Sequence, residues 1–281
     1  MHERTTEQAT DEMQDMDTTV LHGSTVQVSR IEFNGGRWEK VKGDLIREMP
    51  LTLFVNGNEL VTILCTPSKL NCLVVGFLHL EGVISSLDEI ALMRVCEEEN
   101  LADVRLNRGE VALPARRTLT SGCGGGVALE FDWDKLPEVS SSLSVDSGQV
   151  QMSIRKLLDA GEVYRRSGGV HTAALADASG LLVVAEDVGR HNTIDKIHGE
   201  CLLTGIDCSR GMLLTTGRVS SEMLAKAAKM AVPVVVSRSA PTDRAVQIAQ
   251  AKGITLIGYA KGTRMSVYTH EWRIADCRED S

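Results

Sequence analysis

Cys123 stands in "TSGCGGG" (120–126), a thiol among four glycines, between polar residues and the apolar run "VALEF". A structural cysteine packs as a small hydrophobe, whereas glycines at this density favour flexible backbone and close approach by another molecule. A free thiol has a pKa of about 8.5, and a neighbouring cation or helix N-terminus raises its thiolate fraction. No histidine adjoins it in sequence, so a protease-like Cys-His pair has no local support. Group transfer through sulfur needs only the presented thiolate. The competing reading is a tight glycine turn with an incidental cysteine.

Three further stretches could hold an anion: "TTGRVSS" (215–221), "SRSAPTD" (237–243) and "YAKGTR" (259–264). Each follows an apolar strand pattern. Ligands of open α/β sheets bind outside the carboxyl ends of strands, and two of these loops enter helices with Ser or Thr as cap. Arg218, Arg238, Lys261 and Arg264 add positive charge at that edge. None of the loops is a Walker or G-x-G-x-x-G motif, so the signal is positional. "AEDVGRHN" (185–192) packs Glu186, Asp187, Arg190, His191 and Asn192 into a strand-to-helix turn, as a site or as a capping cluster. His171, after two glycines, and His270 read first as structural hydrogen-bonding groups. His79 and His198 lie in His-x-Glu triplets, but the Pro-Cys-x-x-Cys of a zinc deaminase is missing. No metal ligands are assigned.

These residues need elements to position them. Alternation and an Asn-Gly turn in "DLIREMPLTLFVNGNELVTILC" predict two strands, followed by a helix ending near Gly82 and short strands at "ALMRVCEEE", "LADVRLN" and "GEVALP". "QVQMSIRKLLDAGEVYRRSGG" predicts one helix running to its Gly pair. "HTAALAD" and "LLVVAED" are predicted strands joined by a turn around Ser179 and Gly180. After the helix "NTIDKIHGECLLTG", the strands "MLLTTG", "VPVVVSRS" and "ITLIGYAKG" alternate with helices, which predicts parallel strands covered by helices. The expected organisation is an acidic, mobile tail (1–23, six acids against one arginine), a small α+β domain (24–118), the cysteine loop and linker (119–148) and an α/β domain (149–281).

Composition narrows the class. The 281 residues carry a net charge of -8, which opposes nonspecific nucleic-acid binding. No window approaches the roughly 20 apolar residues of a membrane span, and the first residues lack a secretory apolar core, so a cytoplasmic protein without membrane insertion is expected. Seven cysteines without framework spacing read as free thiols in a reducing compartment.

As an ordered set, "REMPLTLFVNGNEL", "GFLHLEGVI", "SGCGGG", "GGVHTAAL", "EDVGRHNTIDK", "TTGRVSSEMLAKAA", "SAPTDRAVQIA" and "GYAKGTRMSVYTH" resemble the formate dehydrogenase accessory sulfurtransferases, the FdhD/NarQ family. The resemblance implies an α/β fold: a cytidine-deaminase-like C-terminal domain of parallel strands and covering helices plus a smaller N-terminal α+β domain, assembled as a homodimer. It implies that the protein takes persulfide sulfur from a cysteine desulfurase and passes it to the molybdenum cofactor, in its bis-guanine-dinucleotide form, for formate dehydrogenase. Cys123 matches the persulfide-bearing cysteine, and Tyr259, Ala260, Lys261, Gly262, Thr263 and Arg264 match the cofactor-binding stretch. With the strand-edge reading, Arg218, Ser239 and His191 join that candidate cofactor site. Many members carry Cys-Gly-x-Cys in the loop, where this chain has Gly126, so a hand-off between neighbouring thiols is impossible here. A cofactor-binding chaperone without sulfur transfer is the alternative.

Overall fold

The computed structural model describes residues 19–20, 23–109, 117–119, 127–129 and 135–277. Cys123 and Gly126 lie outside the described residues, as does the strand expected at "GEVALP".

β1 (Thr19–Val20), β2 (Thr25–Asn34) and β3 (Arg37–Ile46) form a three-stranded sheet that the sequence patterns did not announce. Its β2–β3 hairpin turns at Gly35–Gly36, both at positive φ, and pairs Phe33 with Trp38 near the turn. A second sheet, of order β5-β4-β7-β6, joins β4 (Met49–Val55), β5 (Asn58–Cys65), β6 (Ile90–Cys96) and β7 (Leu101–Leu106). Asn56 and Gly57 both take positive φ, which suits the tight turn expected between β4 and β5. Helix α1 (Leu70–Leu80) lays Leu73, Val74, Phe77 and Leu78 over Leu51, Leu53 and Val104 of this sheet. β8 (Arg117–Leu119) and β9 (Val127–Leu129) then pair antiparallel.

The expected single helix after the linker is two, α2 (Ser147–Ala160) and α3 (Glu162–Ser167). Asp146 and Gln149 close a capping box at the start of α2. The break falls at Gly161, where a Cβ would sit 2.8 Å from Thr172 Oγ1 and 3.3 Å from Glu186 Oε1. Glu186 accepts the backbone N–H groups of Val163 and Tyr164, so a carboxylate distant in sequence starts a new helix there.

The largest sheet has the order β11-β10-β12-β13-β14-β15. It comprises β10 (His171–Asp177), β11 (Gly180–Asp187), β12 (Met212–Thr215), β13 (Val234–Ser237), β14 (Thr255–Lys261) and β15 (Arg264–Thr269). β12, β13 and β14 are parallel as expected, but β10, β11 and β15 run antiparallel to their neighbours. Two-residue connections between β10 and β11 and between β14 and β15 can only return antiparallel, so the sheet is mixed. Alternate residues feed two cores. Ala174, Leu214 and Val236 face α2, while Leu175, Leu213 and Val235 face α4 (Arg190–Thr204), α5 (Ser221–Lys229) and α6 (Asp243–Lys252). Helices α1 and α4 pack together and join the two larger sheets.

Candidate functional site

At the carboxyl ends of β12 and β13 the two following loops are laced together. Ser237 Oγ donates to the Gly217 carbonyl at 2.7 Å, Val219 N–H donates to Ala240 O at 3.1 Å, and Thr242 N–H donates to Val219 O at 2.9 Å. Ser220 caps α5 and Thr242 caps α6, each accepting a backbone N–H from the third residue onward. Beside these loops opens a cavity of about 260 Å³. Its polar lining includes His171, Arg190, His191, Arg218, Glu222 and Ser239, and Val61–Leu64 of β5 with Phe77 of α1 form the opposite wall. The site therefore lies between the two larger sheets.

Charge is buried beneath this cavity. Lys226 Nζ donates to both Asp195 oxygens at 2.7 and 2.8 Å and lies 3.5 Å from Glu81 Oε1. Burial opposes the ammonium, but Asp195, Glu81 and Glu222 hold the Lys226 pKa above its ordinary value. Burial raises Asp195 to about 6 against the pull of Lys226, and it raises Glu222 to about 7. His191 Nε2 lies 3.3 Å from Glu222 Oε2 and 3.2 Å from Ser220 Oγ. Burial, then the Lys226 and Arg190 cations, push its pKa down to about 3. His171 is lowered by burial and by Arg190, so both cavity imidazoles are neutral at neutral pH.

The "EDVGRHN" turn divides its labour. Asp187, fully buried, accepts from Thr66 N–H at 3.1 Å, Gly189 N–H at 2.8 Å and Asn192 Nδ2 at 2.8 Å, and it pairs with Lys196 Nζ at 2.6 Å. Lys196 also donates to Thr66 O and Glu186 O. The acids of this turn thus serve helix starts and the junction with β5, while Arg190 and His191 face the cavity.

Of the sequence-expected residues, Arg218, Ser239 and His191 meet in the cavity wall. Tyr259–Arg264 does not line it. That stretch is the β14–β15 turn, held beside Ser239 by Tyr259 N–H donating to Ser239 O at 3.0 Å. Tyr259 has φ +53°, a left-handed conformation that is unusual for an aromatic residue, and its ring is half exposed. Ala260 is buried, and Lys261, Gly262, Thr263 and Arg264 are exposed. His270 bonds Gln250 O at 3.0 Å, a structural role. His79 and His198 bond each other across α1 and α4 at 3.0 Å, and among the described residues no group of three or more His, Cys, Asp or Glu is placed to hold a metal.

Glu222, Lys226 and Asp195 were not singled out in the sequence. Glu222 and Lys226 lie in "SEMLAKAAK", whose alternation of charged and apolar residues reads as an ordinary amphipathic helix.

Several known proteins share this arrangement of chain. The model described as the FdhD/NarQ family matches residues 46–275. The chain belongs to the FdhD/NarQ family. The Sulfur carrier protein FdhD of Bacillus subtilis (strain 168) is 38% identical over 249 residues, spanning 87% of this chain and 95% of its own length. That of Geobacillus kaustophilus (strain HTA426) is 37% identical over 250 residues, spanning 86% and 94%. The crystal structure of a candidate formate dehydrogenase accessory protein from Desulfotalea psychrophila superposes with a TM-score of 0.75 at 23% identity, covering 89% of this chain and 99% of the other. That likeness establishes a common mixed α/β fold. Among the described residues no helix of this FdhD/NarQ chain is long and apolar enough to cross a membrane.

Proposed function

We propose that the chain is a sulfur carrier of formate dehydrogenase maturation, cytoplasmic and homodimeric. Cys123 accepts sulfur from a cysteine desulfurase and delivers it to the molybdenum cofactor in its bis-guanine-dinucleotide form. In the acceptance step the Cys123 thiolate attacks the outer sulfur of the donor's persulfide. One S–S bond forms as another breaks, and the donor thiolate leaves, so no external oxidant or reductant is required. The cofactor is cargo, and a nucleotide end of it occupies the cavity.

The observation that carries this reading is the cavity at the carboxyl ends of β12 and β13. Arg190 and Arg218 line it, and the N-termini of α4 and α5 adjoin it, in a chain whose relatives bear the name sulfur carrier. Cations and helix N-termini suit phosphate, and Val61, Ile63 and Phe77 offer apolar surface to a planar ring. A cavity of this volume takes one ring system. The remainder of a dinucleotide would extend over the open side, towards the Tyr259–Arg264 turn.

The test is mass analysis of the intact protein and its peptides after incubation with a cysteine desulfurase and cysteine. One reductant-labile sulfur atom on Cys123 is the expected result, and Cys123→Ala is expected to abolish formate dehydrogenase maturation while leaving the fold intact. A protein that stays unmodified while binding the cofactor would replace this reading with that of an escort without sulfur transfer.

A further inference from the structure

Three carboxyl groups act on the buried Lys226 ammonium. Asp195 engages it through both oxygens, Glu81 stands 3.5 Å away, and Glu222 lies one turn before it on α5. The other groups acting on this cluster include Lys229 on α5, Asp187 at the end of β11, Arg190 and His191 at the start of α4, and, farther along α4, His198 beside Lys226. His171 on β10 and Arg190 both lie beside Gly217 in the cavity wall, and Arg190 acts on the His171 ring. Asp195 and Glu81 thus take up Lys226, and Glu222 lies 3.3 Å from the His191 ring. That ring is crowded by Lys226 and Arg190 and takes no proton of its own at neutral pH. Glu222 is 8% exposed, and the surface it shows belongs to the cavity wall. Burial of a carboxylate in that position, beside the Glu81 and Asp195 carboxylates, outweighs the offset from the Lys226 and Arg190 cations and favours protonation.

We propose that Glu222 is the ligand-reading residue of the cavity: it stands as a neutral carboxylic acid and donates its O–H to an acceptor atom, a ring nitrogen or carbonyl oxygen, of a planar heterocycle. A neutral His191, its Nε2–H shared between Ser220 Oγ at 3.2 Å and the acid's carbonyl oxygen at 3.3 Å, leaves that O–H for the ligand. Binding is then linked to one proton, because the acceptor meets a donor only while Glu222 is protonated. Burial, which moves the Glu222 pKa up to about 7, has the direction this role needs. The inference rests on the placing of a nucleotide end in this cavity.

The experiment is calorimetric titration of the full chain with guanosine diphosphate from below to above neutral pH, on the wild type and on Glu222→Gln. Glutamine keeps a neutral donor and cannot ionise, so the ligand's own titration cancels in the comparison. The wild-type affinity is expected to fall relative to the variant by about tenfold per pH unit above neutrality. Parallel profiles would overturn the proposal while leaving the cavity a nucleotide site. In parallel, the carbon-13 carboxyl resonance of Glu222 is followed in the ligand-free wild type, which covers the case of a variant that fails to fold. A midpoint near neutrality supports the proposal, and one in the ordinary carboxylate range overturns it. If guanosine diphosphate binds neither protein at any pH, the placing of a nucleotide end here fails, and the carboxyl midpoint still decides the state of Glu222.

Discussion

Gly76 of α1 and Gly199 of α4 bring their helices together with no side chain between them. A Cβ on Gly76 would lie 1.8 Å from the Asp195 carbonyl oxygen and 2.9 Å from Gly199 N, and a Cβ on Gly199 would lie 1.9 Å from the Cys72 carbonyl oxygen. The obstructing atoms are backbone, which cannot swing aside as a side chain can. This contact fixes α4, with His191 and Asp195, against the α1 and β5 wall of the cavity.

Gly199→Ala is therefore expected to force the two helices apart. Its cost should reach or exceed the top of the usual range for overpacking, about 3 kcal/mol, read as a lower midpoint in urea. A variant as stable as the wild type would mean that the helices separate without penalty.

Lys226→Met removes the ammonium bonded to both Asp195 oxygens and leaves that carboxylate buried. Loss of one partner of such a pair costs about 3–5 kcal/mol. Asp195→Asn in the same chain removes the stranded charge and is expected to restore part of the loss. Denaturant unfolding of both singles and the double measures the coupling, and purely additive effects would count against the pair.

Two buried groups give opposite pH signatures. Burial, then His79 and Lys226, lower His198 from 6.5 to about 3. The unfolded chain therefore takes this proton first, and the stability linked to His198 is full above 6.5 and drains away as pH falls towards 3. Glu222 is raised from 4.5 to about 7, so its contribution is full below 4.5 and is lost as pH rises to 7. Relative to wild type, His198→Gln is expected to flatten the acid side of the stability profile and Glu222→Gln the neutral side. Urea midpoints across this window check both slopes, and a shared sign would contradict them.

The caps of α5 and α6 separate stability from binding. Ser220→Ala and Thr242→Ala each remove one side-chain acceptor from a helix start, at a cost of about 1 kcal/mol. Ser220 Oγ also lies 3.2 Å from His191 Nε2. Only Ser220→Ala is therefore expected to weaken guanosine diphosphate binding, and equal loss in both variants would mean that the caps act on the site through helix stability alone.

Elements whose signal is local are legible in the sequence. β4 and β5 follow from alternation around Asn56–Gly57, and β12 and β13 from runs buried on both faces of the sheet. β2 and β3 escaped because most of their residues are partly or fully exposed, so no apolar face alternates with a polar one. The Gly161 break was illegible because Glu186, which causes it, reaches that point only through tertiary folding. The same applies to the site. Arg218 and Ser239 followed from the strand-edge rule, whereas Glu222 and Lys226 look like ordinary helix-surface charges until β5 and α1 cover them. Asp187 drew attention as a site residue, yet its bonds run inward to Thr66 and Lys196.

The covering of α1 by α4 also has a meaning in time. Synthesis delivers β4, β5 and α1 well before residue 199, so the narrow face around Gly76 leaves the ribosome with nothing to lie against it. Leu80, at the end of the same helix, belongs to the later core beside Ile194 and Ile197. The early half of the nascent chain thus carries an unfinished seam, exposed to chaperones and to wrong partners, until the late half closes it. Any premature stop upstream of α4 removes the cover along with the tail of the protein.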